Sequence, residues 1–89
     1  MKRFSGTVQR FPGHLGWHYV DVPDELVPSK RRSVKWGLIP CEFQVGDTRW
    51  KSSLLPKGGG TYFVALKASV RKREGISLGD TVSVRFQFM

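Results

Sequence analysis

Lys67 and Arg71 stand four residues apart in KASVRKRE, a segment whose pattern predicts a short helix over residues 67–74 with Gly75 as its stop. That spacing places both cations on one helical face, where like charges repel unless something answers them. Glu74, three residues beyond Arg71, is placed to answer one of them, and an anion could answer both. Leu66 and Val70 form the adjoining core face and would orient the pair. An ammonium beside a planar guanidinium suits a carboxylate or a phosphate; the plain alternative is a solvated basic face. Lys57, Gly58, Gly59 and Gly60 could bring backbone N–H groups close to the same kind of anion. They do not form a phosphate-binding P-loop, because the G-x-x-x-x-G-K-(S/T) spacing is absent and no helix follows. The run reads otherwise as a flexible hairpin loop. It precedes the strand leading to Lys67, so the two could meet at one mouth of a barrel.

Two basic clusters, Lys30-Arg31-Arg32 and Arg71-Lys72-Arg73, suggest phosphate contacts. Lys30, Arg31, Arg32, Lys72 and Arg73 are therefore candidate nucleic-acid contacts. Trp36 alternates with Val34 and Leu38, and Trp50 lies between Arg49 and Lys51. Both tryptophans thus read as core rather than as stacking platforms for bases. His14 and His18 straddle a turn, and no third ligand sits at a recognisable metal spacing, so no metal site is expected. Cys41 follows Pro40 among apolar residues and reads as a small buried side chain. No linear Ser-His-acid set, paired carboxylate or cofactor fingerprint stands out, and no cofactor is expected. A triad can be discontinuous, so enzymatic activity stays open, with the balance against it.

The elements that must position these residues are mostly strands. Residues 3–11, 17–22, 33–39, 49–55, 61–66 and 81–88 carry alternating or β-rich patterns. The last is the cleanest, with Val82, Val84, Phe86 and Phe88 on one side and Thr81, Ser83, Arg85 and Gln87 on the other. Pro23-Asp24-Glu25-Leu26 can start a single helical turn. Pro40 is expected to interrupt the third strand, and Gly46-Asp47-Thr48 to turn a hairpin. The expected core comprises Phe4, Val8, Val20, Val22, Trp36, Leu66, Val70, Ile76, Val82, Val84 and Phe86. Six or seven short strands and one helix point to a mainly all-β fold, a small closed antiparallel barrel. Closure removes the open edges that a small sheet must otherwise protect. WHYVDVPDELV (17–27) and TYFVALKASVR (61–71) also align weakly, each an aromatic strand feeding a helical segment.

The chain has 89 residues and a formal net charge of +8, from 15 Lys and Arg against 7 Asp and Glu. That length fits one domain, residues 1–89, with a modest core. No apolar run approaches a membrane span, and the start has no apolar region of the kind a signal peptide carries. One cysteine precludes an internal disulfide framework and fits a reducing cytoplasm.

GWHYVDVPDEL (16–26), LLPKGGGTYFVAL (54–66) and KASVRKREGISLGDTVSVRF (67–86) together resemble domain-of-unknown-function family 1905. Its pattern is a W-x-(F/Y)-V-x-(L/V)-P segment, a Gly-rich hairpin, and then K-x-x-(V/L)-R-K-x-x-G-I-x-x-G-D-x-V-x-V. The resemblance covers nearly the whole chain. It implies a small closed β-barrel, alone or fused to other bacterial domains, and carries no activity with it. Residues 64–84 are also similar to the strand, short helix, Gly-Asp turn and strand of AbrB-type DNA-binding regulators. That similarity implies that Gly79-Asp80 makes a structural turn.

These readings lead first to a non-catalytic binding module for a small anionic or polar ligand at Lys67 and Arg71, with Lys57 and Gly58, Gly59 and Gly60 nearby. The alternatives are a nucleic-acid-binding module, AbrB-like or nonspecific, and a protein-interaction domain. The first strand–helix copy has Pro23 in place of Lys67 and carries Asp24 and Glu25, which counts against a symmetric AbrB-like DNA surface. Ligand identity, protein partners and oligomeric state are not encoded in any of these patterns.

Overall fold

The computed structural model describes residues 1–13, 16–27 and 37–89. Residues 33–36 of the expected third strand over 33–39, with Val34 and Trp36, lie outside the described residues, as do His14 and the cluster Lys30-Arg31-Arg32; of the rest, Gly37 and Leu38 are not in a strand and Ile39 begins the next one.

Seven strands form one antiparallel sheet: β1 (Lys2–Thr7), β2 (Gln9–Arg10), β3 (His18–Val22), β4 (Ile39–Val45), β5 (Thr48–Gly58), β6 (Thr61–Ala65) and β7 (Thr81–Phe88). A 3₁₀ turn, Asp24–Leu26, follows β3, and the helix α1 (Ala68–Glu74) follows β6. The strand order is β1-β7-β4-β5-β6-β3-β2.

The sheet nearly closes because its first segment serves both of its ends. Residues 2–7 pair with β7. At Val8 the backbone still bonds the turn before β7, donating to the Asp80 carbonyl and accepting from Gly79 N–H. Gln9 and Arg10 then pair with Tyr19 and His18 of β3. β5 makes a similar passage, pairing with β4 through Leu54 and with β6 from Leu55 onward. Two strands that change partners turn the sheet into a barrel. Gly6 permits the closure, since a Cβ there would lie 2.5 Å from Val20 Cγ1.

Alternation fills the interior. Phe4, Val8, Val20, Val64, Leu66, Val82, Val84 and Phe86 are buried as the sequence predicts. Val22 and Val70 are buried too, and Ile76 packs half-buried against the core. Phe43, Ile39 and Leu54 complete the interior, with Phe43 stacked on Trp50 at 5.4 Å. Trp50 is thus packed on the core, as its alternation implies.

Two local expectations are corrected. Pro40 lies inside β4 rather than interrupting it. Its carbonyl accepts from Met89 N–H at the far end of β7, beyond the Cys41–Phe88 pair, so the N–H that proline lacks falls at the end of that ladder and not in its middle. Residues 56–58 continue β5 instead of belonging to a loop, with a register shift between Pro56 and Gly58. The turn itself tightens to Gly59 and Gly60. Gly58, Gly59 and Gly60 all take positive φ, which explains the glycine run, and Thr61 Oγ1 donates to the Gly58 carbonyl at 2.7 Å.

The two aligned segments at 17–27 and 61–71 become neighbours. β3 and β6 pair antiparallel with Val20 opposite Val64. At the Gly79-Asp80 turn, Asp80 Oδ2 accepts from Ser77 N–H at 2.8 Å, the structural role that the AbrB similarity implies.

Candidate functional site

α1 is fastened to the barrel by Leu66 and Val70, both buried. Arg71 N–H donates to the Lys67 carbonyl at 3.0 Å, stacking the two cations one turn apart. Arg71 Nε donates to the Leu66 carbonyl at 3.2 Å. That bond fixes the plane of the guanidinium and leaves its two terminal nitrogens for another partner. Lys67 is exposed and Arg71 half-buried.

Both line a cavity of ≈ 640 Å³ where α1 meets the start of β3, the middle of β5 and the entry to β4. Its polar lining adds His18, Ser52 and Ser53. Its apolar wall includes Trp17, Leu38, Leu55 and Leu66. Among the described residues, no Asp or Glu lines it. The mixture suits an anionic head on an apolar body.

Burial holds the His18 imidazole below its ordinary value of 6.5, and the charges of Arg71 and Arg10 push the same way, while the Gly16 backbone pulls upward. Nδ1 of His18 is buried, with no hydrogen-bond partner among the described residues. The fold therefore favours the neutral ring. Its contribution to stability is complete above the unfolded value and falls as pH drops below it, because the unfolded chain then binds the proton more readily. Melting temperature should decline from about pH 7.5 to about pH 5.5, and His18→Gln should flatten that decline. Equal slopes in the two proteins would contradict this placement of His18.

Glu74 does not answer Arg71. Its carboxylate accepts from Thr48 Oγ1 at 2.5 Å, tying α1 to the β4–β5 hairpin. Lys67 and Arg71 are thus left without that acid. Lys57, Gly58, Gly59 and Gly60 are not brought to the cavity of Lys67 and Arg71. Lys57 Nζ lies 3.0 Å from Asp21 Oδ1 and 4.7 Å from the Tyr19 ring centroid, beside a separate depression with Asp24, Thr61 and Tyr62. Those contacts raise the Lys57 pKa, the hydrogen bond to Asp21 first. Lys72 and Arg73 are exposed on α1 and do not line the cavity.

Sequence reasoning missed Trp17, Leu38, Ser52, Ser53 and Leu55, and weighed His18 only as a metal ligand. Among the described residues no group of three or more His, Cys, Asp or Glu could hold a metal ion. No helix among them is long and apolar enough to cross a membrane.

Cys41 is fully buried on β4, and burial pushes its thiol up to about 11, against a smaller lowering by the Leu54 backbone. A thiolate is the reactive form. Cys41 should therefore resist an aromatic disulfide reagent at about pH 8 in the folded protein and react fully in denaturant. Rapid labelling of the folded protein would place the thiol elsewhere.

A nearly closed seven-stranded antiparallel barrel, with one helix fastened over a cation-lined cavity, defines the structural class. Residues 4–86 match the family described as Domain of unknown function (DUF1905), and the chain belongs to that family. Comparison with the curated proteins gives no match.

Proposed function

We propose that this barrel is a non-catalytic binding module for a small anionic or polar ligand, held between α1 and β5 by Arg71 and Lys67. The observation that carries the reading is the Arg71 guanidinium. Its Nε is fixed on the Leu66 carbonyl, and it borders a cavity with no acidic lining residue among those described. A guanidinium oriented in this way can hold a carboxylate or phosphate through two parallel bonds. Ser52 and Ser53 hydroxyls and the His18 ring supply further polar contacts. The apolar wall favours ligands with an aromatic or aliphatic body over bare inorganic ions. A single buried thiol suits a module working in the reducing cytoplasm.

A thermal-shift screen of aryl and alkyl carboxylates and phosphates tests the proposal, run in parallel on wild type and Arg71→Ala. A ligand that binds the folded state raises its melting temperature. The reading requires at least one compound that stabilises wild type and fails to stabilise Arg71→Ala. Arg71→Lys should recover part of the increment, because the charge returns without the fork. Identical responses in all three proteins would make Lys67 and Arg71 ordinary solvated cations.

A further inference from the structure

The outer face of the β1-β7-β4-β5 half of the sheet carries a line of arginines, none of which lines the cavity beside α1. Alternation turns Phe4, Phe43, Val84 and Phe86 inward, so Arg3, Arg85, Gln44 and Arg49 face outward. The register then sets them side by side. Arg3 is opposite Arg85, Arg85 is opposite Gln44, and Gln44 is opposite Arg49. With neighbouring strands about 4.8 Å apart, the line runs roughly 14 Å across four strands.

Like charges directly opposite each other destabilise a sheet. Here Arg3 and Arg85 are exposed partners, and among the described residues the single ion pair is Lys57–Asp21 on another part of the barrel. Glu42, the acid in the neighbouring row, accepts a hydrogen bond from Gln87. Arg49 Nε donates to Gln44 Oε1 at 3.1 Å, which holds that guanidinium in the line. Arg3 and Arg85 also border a depression of ≈ 540 Å³ together with Met1. The rows on the other side carry hydroxyls, Ser5 opposite Ser83 and Thr7 opposite Thr81.

We infer that this face docks on the phosphodiester backbone of duplex DNA without reading its sequence. Guanidiniums grip phosphate oxygens, and Ser and Thr hydroxyls are regular phosphate donors in such interfaces. A duplex presents about one negative charge per 1.7 Å of its axis, a charge density that a straight row of cations can follow. Binding to single strands draws on aromatic stacking. The outward residues of this face include no aromatic side chain. Docking on a lipid surface draws on apolar side chains entering the acyl boundary. The four aligned positions and their hydroxyl neighbours offer none. The site is independent of the small-ligand cavity, since it shares no residue with it.

The test titrates the whole protein onto a fluorescent duplex of about 20 base pairs, followed by anisotropy between ~50 and ~200 mM salt. One variant carries Arg3→Gln, Arg49→Gln and Arg85→Gln. A control carries Arg10→Gln, Lys72→Gln and Arg73→Gln, with the same loss of charge elsewhere. Three lost phosphate contacts reduce the log–log salt slope by about 2.7. Raising the salt over that interval should then weaken wild type on the order of 40-fold more than the row variant. The control should keep most of the wild-type slope. The row variant should melt at or above the wild-type temperature, because the substitutions relieve repulsion. Equal weakening of both triple variants would reduce the effect to net charge and overturn the inference. So would no duplex binding at the low-salt end, or row-dependent binding to phosphatidylserine vesicles without binding to the duplex.

Discussion

Phe43→Ala should remove about 3–5 kcal/mol of folding stability. Phe43 has no exposed surface and sits in the middle of β4, which pairs with β5 on one side and β7 on the other. Its ring faces Trp50 across one pairing and Phe86 across the other, at centroid distances of 5.4 and 6.2 Å. Truncation would unstack both neighbours and leave a cavity that a nearly closed barrel cannot easily collapse into. Domains of this kind hold only about 5–15 kcal/mol in total, so the variant should sit close to unfolding. At roughly 4–8 °C per kcal/mol for a chain of this size, the melting temperature should fall by at least about 12 °C. Chemical denaturation with an unchanged slope would confirm that stability, and not the compactness of either state, has changed. A loss below about 1 kcal/mol would mean that the barrel interior is not organised around Phe43.

Arg71→Ala should have the largest effect on ligand response. A ligand present at about one hundred times its dissociation constant stabilises the folded protein by about 2.7 kcal/mol. For a chain of this size that is a rise of roughly 10–20 °C in melting temperature. Hydrogen bonds to a charged group contribute about 1.5–3 kcal/mol each set, so losing the guanidinium should weaken binding from about tenfold to more than one hundredfold. At the same ligand concentration the increment in the variant should shrink to about 6–11 °C for a tenfold weakening and to about 2–3 °C for a hundredfold one. Each protein is compared with its own unliganded melting point, because Arg71 also bonds the Leu66 carbonyl and its loss can shift the baseline. An undiminished increment in Arg71→Ala would remove the guanidinium from the site.

The parts of this molecule legible in the sequence are those that local pattern determines. β7 spans Thr81–Phe88 as its uninterrupted alternation requires. α1 follows from the Leu66 and Val70 spacing and from Gly75 as its stop. The barrel class follows from short strands that need closure. What was not legible depends on which strand lies alongside. Pro40 is tolerated because the N–H it lacks falls at the end of the ladder with β7, about fifty residues away. The change of partner at Val8 was not legible because the alternation simply stops there, with Gln9 and Arg10 both exposed, and nothing local says which strand lies alongside next. Glu74 turns to Thr48 because the β4–β5 hairpin packs under the helix, which no helical spacing encodes. Lys67 and Arg71 were legible as a pair, but the cavity beside them was not. Its walls come from four separate stretches, residues 16–18, 38, 52–55 and 65–71, and Ser52 and Ser53 acquire meaning only when β5 passes α1. Lys57 lies close to Lys67 in sequence, yet its place on β5 sets it against Asp21 instead.

Arg71 and Lys67 are proposed to hold a small anion. The most direct measurement is a map of backbone amide shifts in a heteronuclear correlation spectrum, titrated with the best stabilising anion from the thermal screen. The account predicts saturable changes concentrated at His18, Ser52, Ser53, Leu66, Ala68 and Arg71, with β7 and the Gly59-Gly60 turn unmoved. Small, unsaturated changes spread over every exposed Lys and Arg would show that the anion meets only the general positive charge, and would contradict the assignment of the site.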